Sequence, residues 1–181
     1  MICRINFVSF AAALGLFFLP WLDFQCSGKS KITQSGFQTV TGGGSLGEEV
    51  EIQFGDRKND ESQGSFNAAL YVAVALGCIV LGLLIAFIEL LGGGPPSPAL
   101  PALAAMALIL IGLQMKLEFP MEQKIVKLYQ KTGVDGEAAA VDPRELLALE
   151  KIRIVYRPGI YFELGILVLP IGIAFFAMRS T

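Results

Sequence analysis

The sequence predicts an all-α transmembrane four-helix bundle with a small α/β cap formed by its two long loops. Three observations lead there. First, 54% of the 181 residues are apolar or aromatic and the mean hydropathy is +0.60, while only 17% are charged, against about 25% in a typical soluble domain. Second, four segments are apolar over roughly 17–25 residues, the length that crosses the hydrocarbon of a bilayer. Third, the polar residues collect in two long connections, 23–67 and 116–158. A soluble fold of this size needs more polar groups to coat its surface, so the chain is expected in a membrane as a single integral domain, 1–181.

The first span is expected at about Ile5–Leu22, which has no charge between Arg4 and Asp23. Arg4 suits the start of a secretory signal, but the bulky Pro20-Trp21-Leu22-Asp23 offers no small-x-small cleavage site, and an uncleaved anchor is expected. The others are expected at about Ala68–Leu91, Ala99–Met115 and Gly159–Met178. Gly92-Gly93-Gly94-Pro95-Pro96-Ser97-Pro98 joins the second to the third. Its glycines can end a helix in the left-handed conformation, Ser97 can cap the next helix, and Pro98 can take the first position, where a missing N–H does no harm. A tight antiparallel hairpin follows, and the glycines form a turn rather than a phosphate cradle. Pro170 removes a backbone hydrogen bond and should kink the fourth span, as a matter of shape rather than gating.

With four spans the two long loops lie on one side. In the first, Trp21–Cys26 and Ile32–Val40 read as strands around a Ser27-Gly28-Lys29-Ser30 turn. Val50, Ile52 and Phe54 alternate with Glu49, Glu51 and Gln53, the period of a half-buried strand, and 55–64 reads as an exposed turn. In the second loop Met121, Ile125, Leu128 and Tyr129 share a helical stripe. Asp142-Pro143-Arg144-Glu145 combines an Asp cap, a first-position Pro and a third-position Glu, so a helix to about Lys151 is expected. Ile152, Ile154 and Tyr156 then alternate as a strand leading into the fourth span.

Twelve of the fourteen Lys and Arg lie in the two long loops, leaving Arg4 and Arg179 opposite. Taken literally, the positive-inside rule places the loops in the cytoplasm. Around the first span, however, the amino terminus and Arg4 nearly balance Lys29 and Lys31, and folded loops translocate largely regardless of charge. The Gly/Ser/Thr-rich, strand-forming first loop looks like an exported surface, and an extracytoplasmic position is favoured.

The composition excludes much chemistry. There is no histidine, which removes imidazole bases, Ser-His and Cys-His nucleophile pairs and most zinc or copper sites. A net charge of −2 gives no basic footprint for nucleic acid. Gly42-Gly43-Gly44-Ser45-Leu46-Gly47 fits a dinucleotide string, but a strand pattern and the acidic Glu48-Glu49 follow where the phosphate-binding helix should begin, so it is read as a turn and no nucleotide is expected. Cys3, Cys26 and Cys78 lie at the terminus, in the first loop and in the second span, so no disulfide framework is expected. No span carries two ionisable residues, and no catalytic site, cofactor or metal is expected.

The remaining candidates are few. Glu89 is a carboxylate within an apolar run, where ionisable groups mark ion paths or proton relays by default. At 1.5 Å per residue 68–91 spans about 36 Å, longer than the hydrocarbon, so Glu89 is expected at the headgroups or in helix pairing. Glu163, one turn into the fourth span, is likewise read as an interface residue. Small residues recur at Ala11 and Gly15, at Ala73 and Gly77, and at Cys78, Gly82 and Ala86, a spacing that lets backbones approach closely in lipid. Gly82 is the centre of the last stripe.

Phe18-Leu19-Pro20-Trp21-Leu22, Cys26-x-Gly28, Gln34-Ser35-Gly36-Phe37-Gln38 and Gly42-Gly43 together resemble a pattern in uncharacterised small bacterial four-span membrane proteins. That resemblance implies an extracytoplasmic first loop, residence in the bacterial inner (plasma) membrane, and roles for Trp21 and Cys26. The architecture is also similar to claudin-like four-span proteins, which carry a Trp just after span one and a strand-rich first loop. This chain lacks their Gly-Leu-Trp and their cysteine pair, and the similarity implies architecture, not junction sealing. The function expected is non-catalytic: a structural or accessory subunit of a larger membrane assembly, with the lipid bilayer and other membrane protein chains as partners. The alternative is a small-solute or ion pathway using Glu89.

Overall fold

The computed structural model describes residues 2–26, 29–46, 68–92, 97–120, 123 and 152–179. In chain order the elements are α1 (Ile2–Leu16), β1 (Pro20–Cys26), β2 (Lys29–Ser35), α2 (Gly36–Thr41), β3 (Ser45–Leu46), α3 (Leu70–Gly92), α4 (Ala99–Lys116), β4 (Ile152–Tyr156) and α5 (Pro158–Arg179). Three helices, α3, α4 and α5, are long and apolar enough to cross a membrane, and α1 is apolar but shorter. The described residues form five helices, these three together with α1 and the short α2, so three of the four expected spans are long and apolar enough to cross a membrane.

Two expected boundaries also change. The first helix stops at Leu16 instead of running to Leu22, its last turn closing through Phe18 N–H to Gly15 O and Leu19 N–H to Leu16 O. Pro20 is the reason: it disfavours helical geometry at Leu19 and cannot donate to a helix, and β1 begins at that residue. The strand expected over Ile32–Val40 ends at Ser35 and becomes α2. Ser35 Oγ accepts from Gln38 N–H while Gln38 Oε1 accepts from Ser35 N–H, a reciprocal cap that satisfies two helix-end donors at once.

The chain forms two compact units. In the helical unit, α1 packs on α3 and α5, and α4 packs on the same two helices. The buried faces follow spacings of three and four: Val72, Ala75, Ile79, Gly82 and Ala86 on α3; Leu100, Ala104, Ala107, Ile111 and Gln114 on α4; Asn6, Ser9, Phe10 and Ala13 on α1. On α5 the buried series is Ile160, Glu163, Leu167 and Pro170. These seams interleave Ala and Gly with larger residues such as Phe10, Ile79, Leu100 and Ile111, and many other bulky side chains, such as Leu84, Ile88, Ile109, Phe162 and Phe176, point outward.

The other unit holds one antiparallel sheet in the order β3-β2-β1-β4, together with α2. Strand β4, from the second long connection, pairs with β1 (Leu22 opposite Tyr156, Phe24 opposite Ile154), so both connections contribute to one sheet. Trp21, Leu22, Phe119, Gln34 and Thr39 are buried here, and the Phe119 and Tyr156 rings lie 6.2 Å apart. The residue pairs 27–28 and 121–122, the hairpin residues 93–96, the strand at 50–54, the turn at 55–64, the rest of the stripe through Tyr129 and the helix at 142–151 lie outside the described residues.

Candidate functional site

The motif that begins at Trp21 builds a strand-to-helix corner. Trp21 is fully buried, and its ring packs against Gly36, where an added Cβ would come within 2.6 Å of Trp21 Cε2. Glycine is therefore required by the ring. Gln34, also buried, donates from Nε2 to Gln38 O (3.3 Å) and Gly43 O (2.5 Å), tying down the C-terminal end of α2. Thr39 Oγ1 donates to Gly36 O at 2.5 Å. Gly42 closes the helix in the left-handed conformation (φ 76°), donating to Gln38 O. The first glycine of the dinucleotide-like string thus ends a helix rather than opening one. Finally, Thr39 O accepts from Ala69 N–H at 2.9 Å.

Beside the corner, the Asp23 carboxylate is fully buried and meets the Arg157 guanidinium through Oδ2, while the Arg157 side chain remains 42% exposed. Gln25 Nε2 donates to the same oxygen at 2.7 Å. Arg157 N–H also donates to Trp21 O at 2.8 Å. One residue thus fastens the end of β4 to the start of β1 by backbone and side chain together. Sequence reasoning used Asp23 to bound a span and counted Arg157 as a topology charge. Their pairing depends on β1–β4 register, which no local pattern encodes.

In the helical unit, Gly82 faces the buried Phe10 of α1: a Cβ there would lie 2.3 Å from Phe10 Cε1. The stripe expected around Gly82 therefore meets an internal helix, with Ala86 buried and Cys78 half-buried. The other stripes differ, since a Cβ at Gly15 or Gly77 would touch nothing within 4 Å.

Glu89 lies in the last turn of α3, and its Oε1 accepts from Ser97 N–H at 2.7 Å. Ser97 Oγ in turn accepts from Ala99 N–H at 3.2 Å, so carboxylate and hydroxyl together satisfy donors at the start of α4, where negative charge is favoured. Glu89 Oε2 is buried with no hydrogen-bond partner. Glu163 is fully buried on the α5 seam, and neither carboxylate oxygen has a hydrogen-bond partner. Glu89 lies near the C-terminal end of α3 and Glu163 near the N-terminal end of α5, two helices that run in the same direction, so the carboxylates sit at opposite ends of the helical unit and form no joint site. Cys26 ends β1, opposite Lys29 and Ile152.

One further polar group was not singled out by the sequence. Asn6, only 4% exposed on α1, has an Oδ1 without a hydrogen-bond partner and lines a cavity of about 450 Å³ with parts of α4 and α5. Its signal was visible, since Asn6 and Ser9 are the polar residues of the first apolar run; Ser9 satisfies itself on Ile5 O at 2.9 Å, and Asn6 does not. Among the described residues no group of three His, Cys, Asp or Glu is placed to hold a metal ion. Comparison with protein-family models, curated proteins and solved structures found no match for this chain.

Proposed function

We propose that the chain is a non-catalytic, four-span integral membrane protein that serves as a structural or accessory subunit of a larger membrane assembly. On this reading α1, extended by Phe17, Phe18 and Leu19, is the first span and joins α3, α4 and α5 in crossing the membrane. The membrane is the bacterial inner membrane and the α/β unit faces the extracytoplasmic side. What supports the membrane placement is the outward face of the helices, where bulky apolar side chains such as Leu84, Ile88, Ile109, Phe162 and Phe176 are exposed, as expected where lipid rather than water surrounds them. Support for α1 as a span is its packing on α3 and α5.

The observation that carries the functional reading is how the polar motif is used. Trp21, Gln34, Ser35, Gly36, Gln38 and Gly42 bond to or pack on one another instead of converging on a space for a substrate. They make a small self-contained unit, an arrangement suited to holding partner chains. The test is purification of the tagged chain in mild detergent, followed by size exclusion and mass spectrometry. Other membrane proteins should co-elute at fixed stoichiometry, and a chain that elutes alone from native membranes overturns the reading. Orientation is tested by labelling intact cells with a bulky impermeant thiol reagent in a Cys3→Ser, Cys78→Ser background. Cys26 should react before lysis; reaction only after lysis places the unit in the cytoplasm.

The unpartnered Glu89 Oε2 favours a second reading, a small-solute or ion pathway. Ion flux into reconstituted vesicles that disappears in Glu89→Gln would replace the first reading with this one.

A further inference from the structure

The cavity beside Asn6 is walled by the N-terminal turns of α1 and α4 and the C-terminal half of α5. Eight of its ten lining residues are carbon-only side chains: three prolines, three alanines and two isoleucines. The other two are Asn6 and Ser97. A ligand site of this kind, a few hundred Å³, mostly apolar, with one or two placed polar groups, is the usual form of a small-molecule pocket.

The two polar groups are complementary. Asn6 Oδ1 is a buried acceptor with no donor, and an unmet buried acceptor is costly. Ser97 Oγ already accepts from Ala99 N–H and keeps its own proton to donate. A hydroxyl, which both donates and accepts, satisfies the pair. A single water bridging Asn6 and Ser97 would have the minimum of two polar partners and would leave the rest of the apolar space unfilled, whereas an alcohol with a hydrocarbon chain fills it. The cavity also lies at the helix ends, level with the Glu89–Ser97 cap, where the hydroxyl of a lipid and the head of its chain would be found.

We propose that this cavity binds a single-chain lipid alcohol, its hydroxyl held by Asn6 and Ser97 and its chain lying against Pro101, Ala102, Pro170 and Ala174. The site rests on the membrane placement of the helical unit and not on the accessory role.

The test uses the full chain, purified in maltoside detergent and titrated with oleyl alcohol or 1-octadecene, with bound copies counted by native mass spectrometry and thermal stability followed alongside. Wild type should take up one oleyl alcohol and melt higher. The hydrocarbon should bind about tenfold more weakly, the weight of one hydrogen bond to a buried acceptor. Asn6→Leu should keep hydrocarbon binding and lose the preference for the alcohol. Ala174→Trp, or Ala102→Phe if the first does not fold, should block both. Equal binding of alcohol and hydrocarbon to wild type, alcohol binding that survives the filled cavity, or no uptake of either, overturns the proposal. Membrane fractionation of the same chain reports separately on the placement it rests on.

Discussion

Replacing Gly82 by leucine tests the packing of the helical unit at its tightest point. The added Cβ alone would sit 2.3, 2.6 and 2.7 Å from three ring atoms of Phe10, and that ring is fully buried. Overfilling a packed core costs typically 1–3 kcal/mol, and a whole leucine belongs at the top of that range. Removing a mid-helix glycine returns somewhat under 1 kcal/mol, leaving a net loss of about 2 kcal/mol. At roughly 2–4 °C per kcal/mol for a chain of this size, the melting temperature in detergent should fall by about 4–8 °C. Gly77→Leu on the same helix is the control, because a Cβ there meets nothing within 4 Å; it should melt at or above wild type. Phe10→Ala alone should cost about 3–5 kcal/mol. Combined with Gly82→Leu, it should be less damaging than the sum by about 0.5–3 kcal/mol, because leucine refills the space the ring leaves. A Gly82→Leu chain with wild-type melting, a Gly77→Leu chain that falls equally, or strict additivity in the double variant would each refute the α1–α3 contact.

Three further outcomes follow from the α/β unit and the hairpin. Gly36→Ala should drive Trp21 out of its position; since the chain has one tryptophan, its emission should shift to longer wavelength, and Trp21→Phe should tolerate the alanine better. Arg157→Met should destabilise by about 3–5 kcal/mol, because it removes the cation facing a buried carboxylate, whereas Asp23→Asn should cost less, because the half-exposed Arg157 can turn to water; denaturation followed by Trp21 fluorescence ranks the two. Glu89→Gln keeps an oxygen for Ser97 N–H and should change the melting temperature little, while Glu89→Leu should lose about 0.5–2 kcal/mol, the range of a lost helix cap, read in the same thermal assay.

The parts of this fold written in local patterns were legible. The alternation of Ile152, Ile154 and Tyr156 gave β4 and its run into α5, and apolar length gave α3, α4 and α5. The two errors at β2 and α1 came from local signals that were present but outweighed. Ser35-x-x-Gln38 is a capping box, yet the apolar Ile32, Phe37 and Val40 encouraged an extended reading; Pro20 should have stopped the first span before the apolar run itself did. The contacts that join distant segments were not legible. The meeting of Asp23 with Arg157, or of Gly82 with Phe10, depends on which strand and which helix become neighbours, and a single sequence does not carry that information.

The helical seams show why hydropathy alone places the spans but not their faces. In water, burial rewards large apolar side chains, so the bulkiest residues mark the inside. Between helices in lipid that reward vanishes, because a leucine gains little by exchanging a lipid tail for a neighbouring helix, and close backbone approach becomes the gain instead. Small residues, Ala75, Gly82, Ala86, Ala104 and Ala107, accordingly share the inside with large ones such as Phe10, Ile79, Leu100, Ile111 and Leu167, while other large side chains such as Leu84, Ile109 and Phe176 lie outward. Polar side chains follow the small ones, since hydrocarbon offers them no hydrogen bond at all. Asn6, Ser9, Gln114 and Glu163 accordingly all fall on buried seams, and rotating any of these helices to release its polar residue would turn that residue toward lipid. Read by spacing and polarity together, Ile160, Glu163, Leu167 and Pro170 fall on one face, which puts Glu163 on the inner face of α5. The burial of its carboxylate is then a consequence of the seam rather than an exception to it.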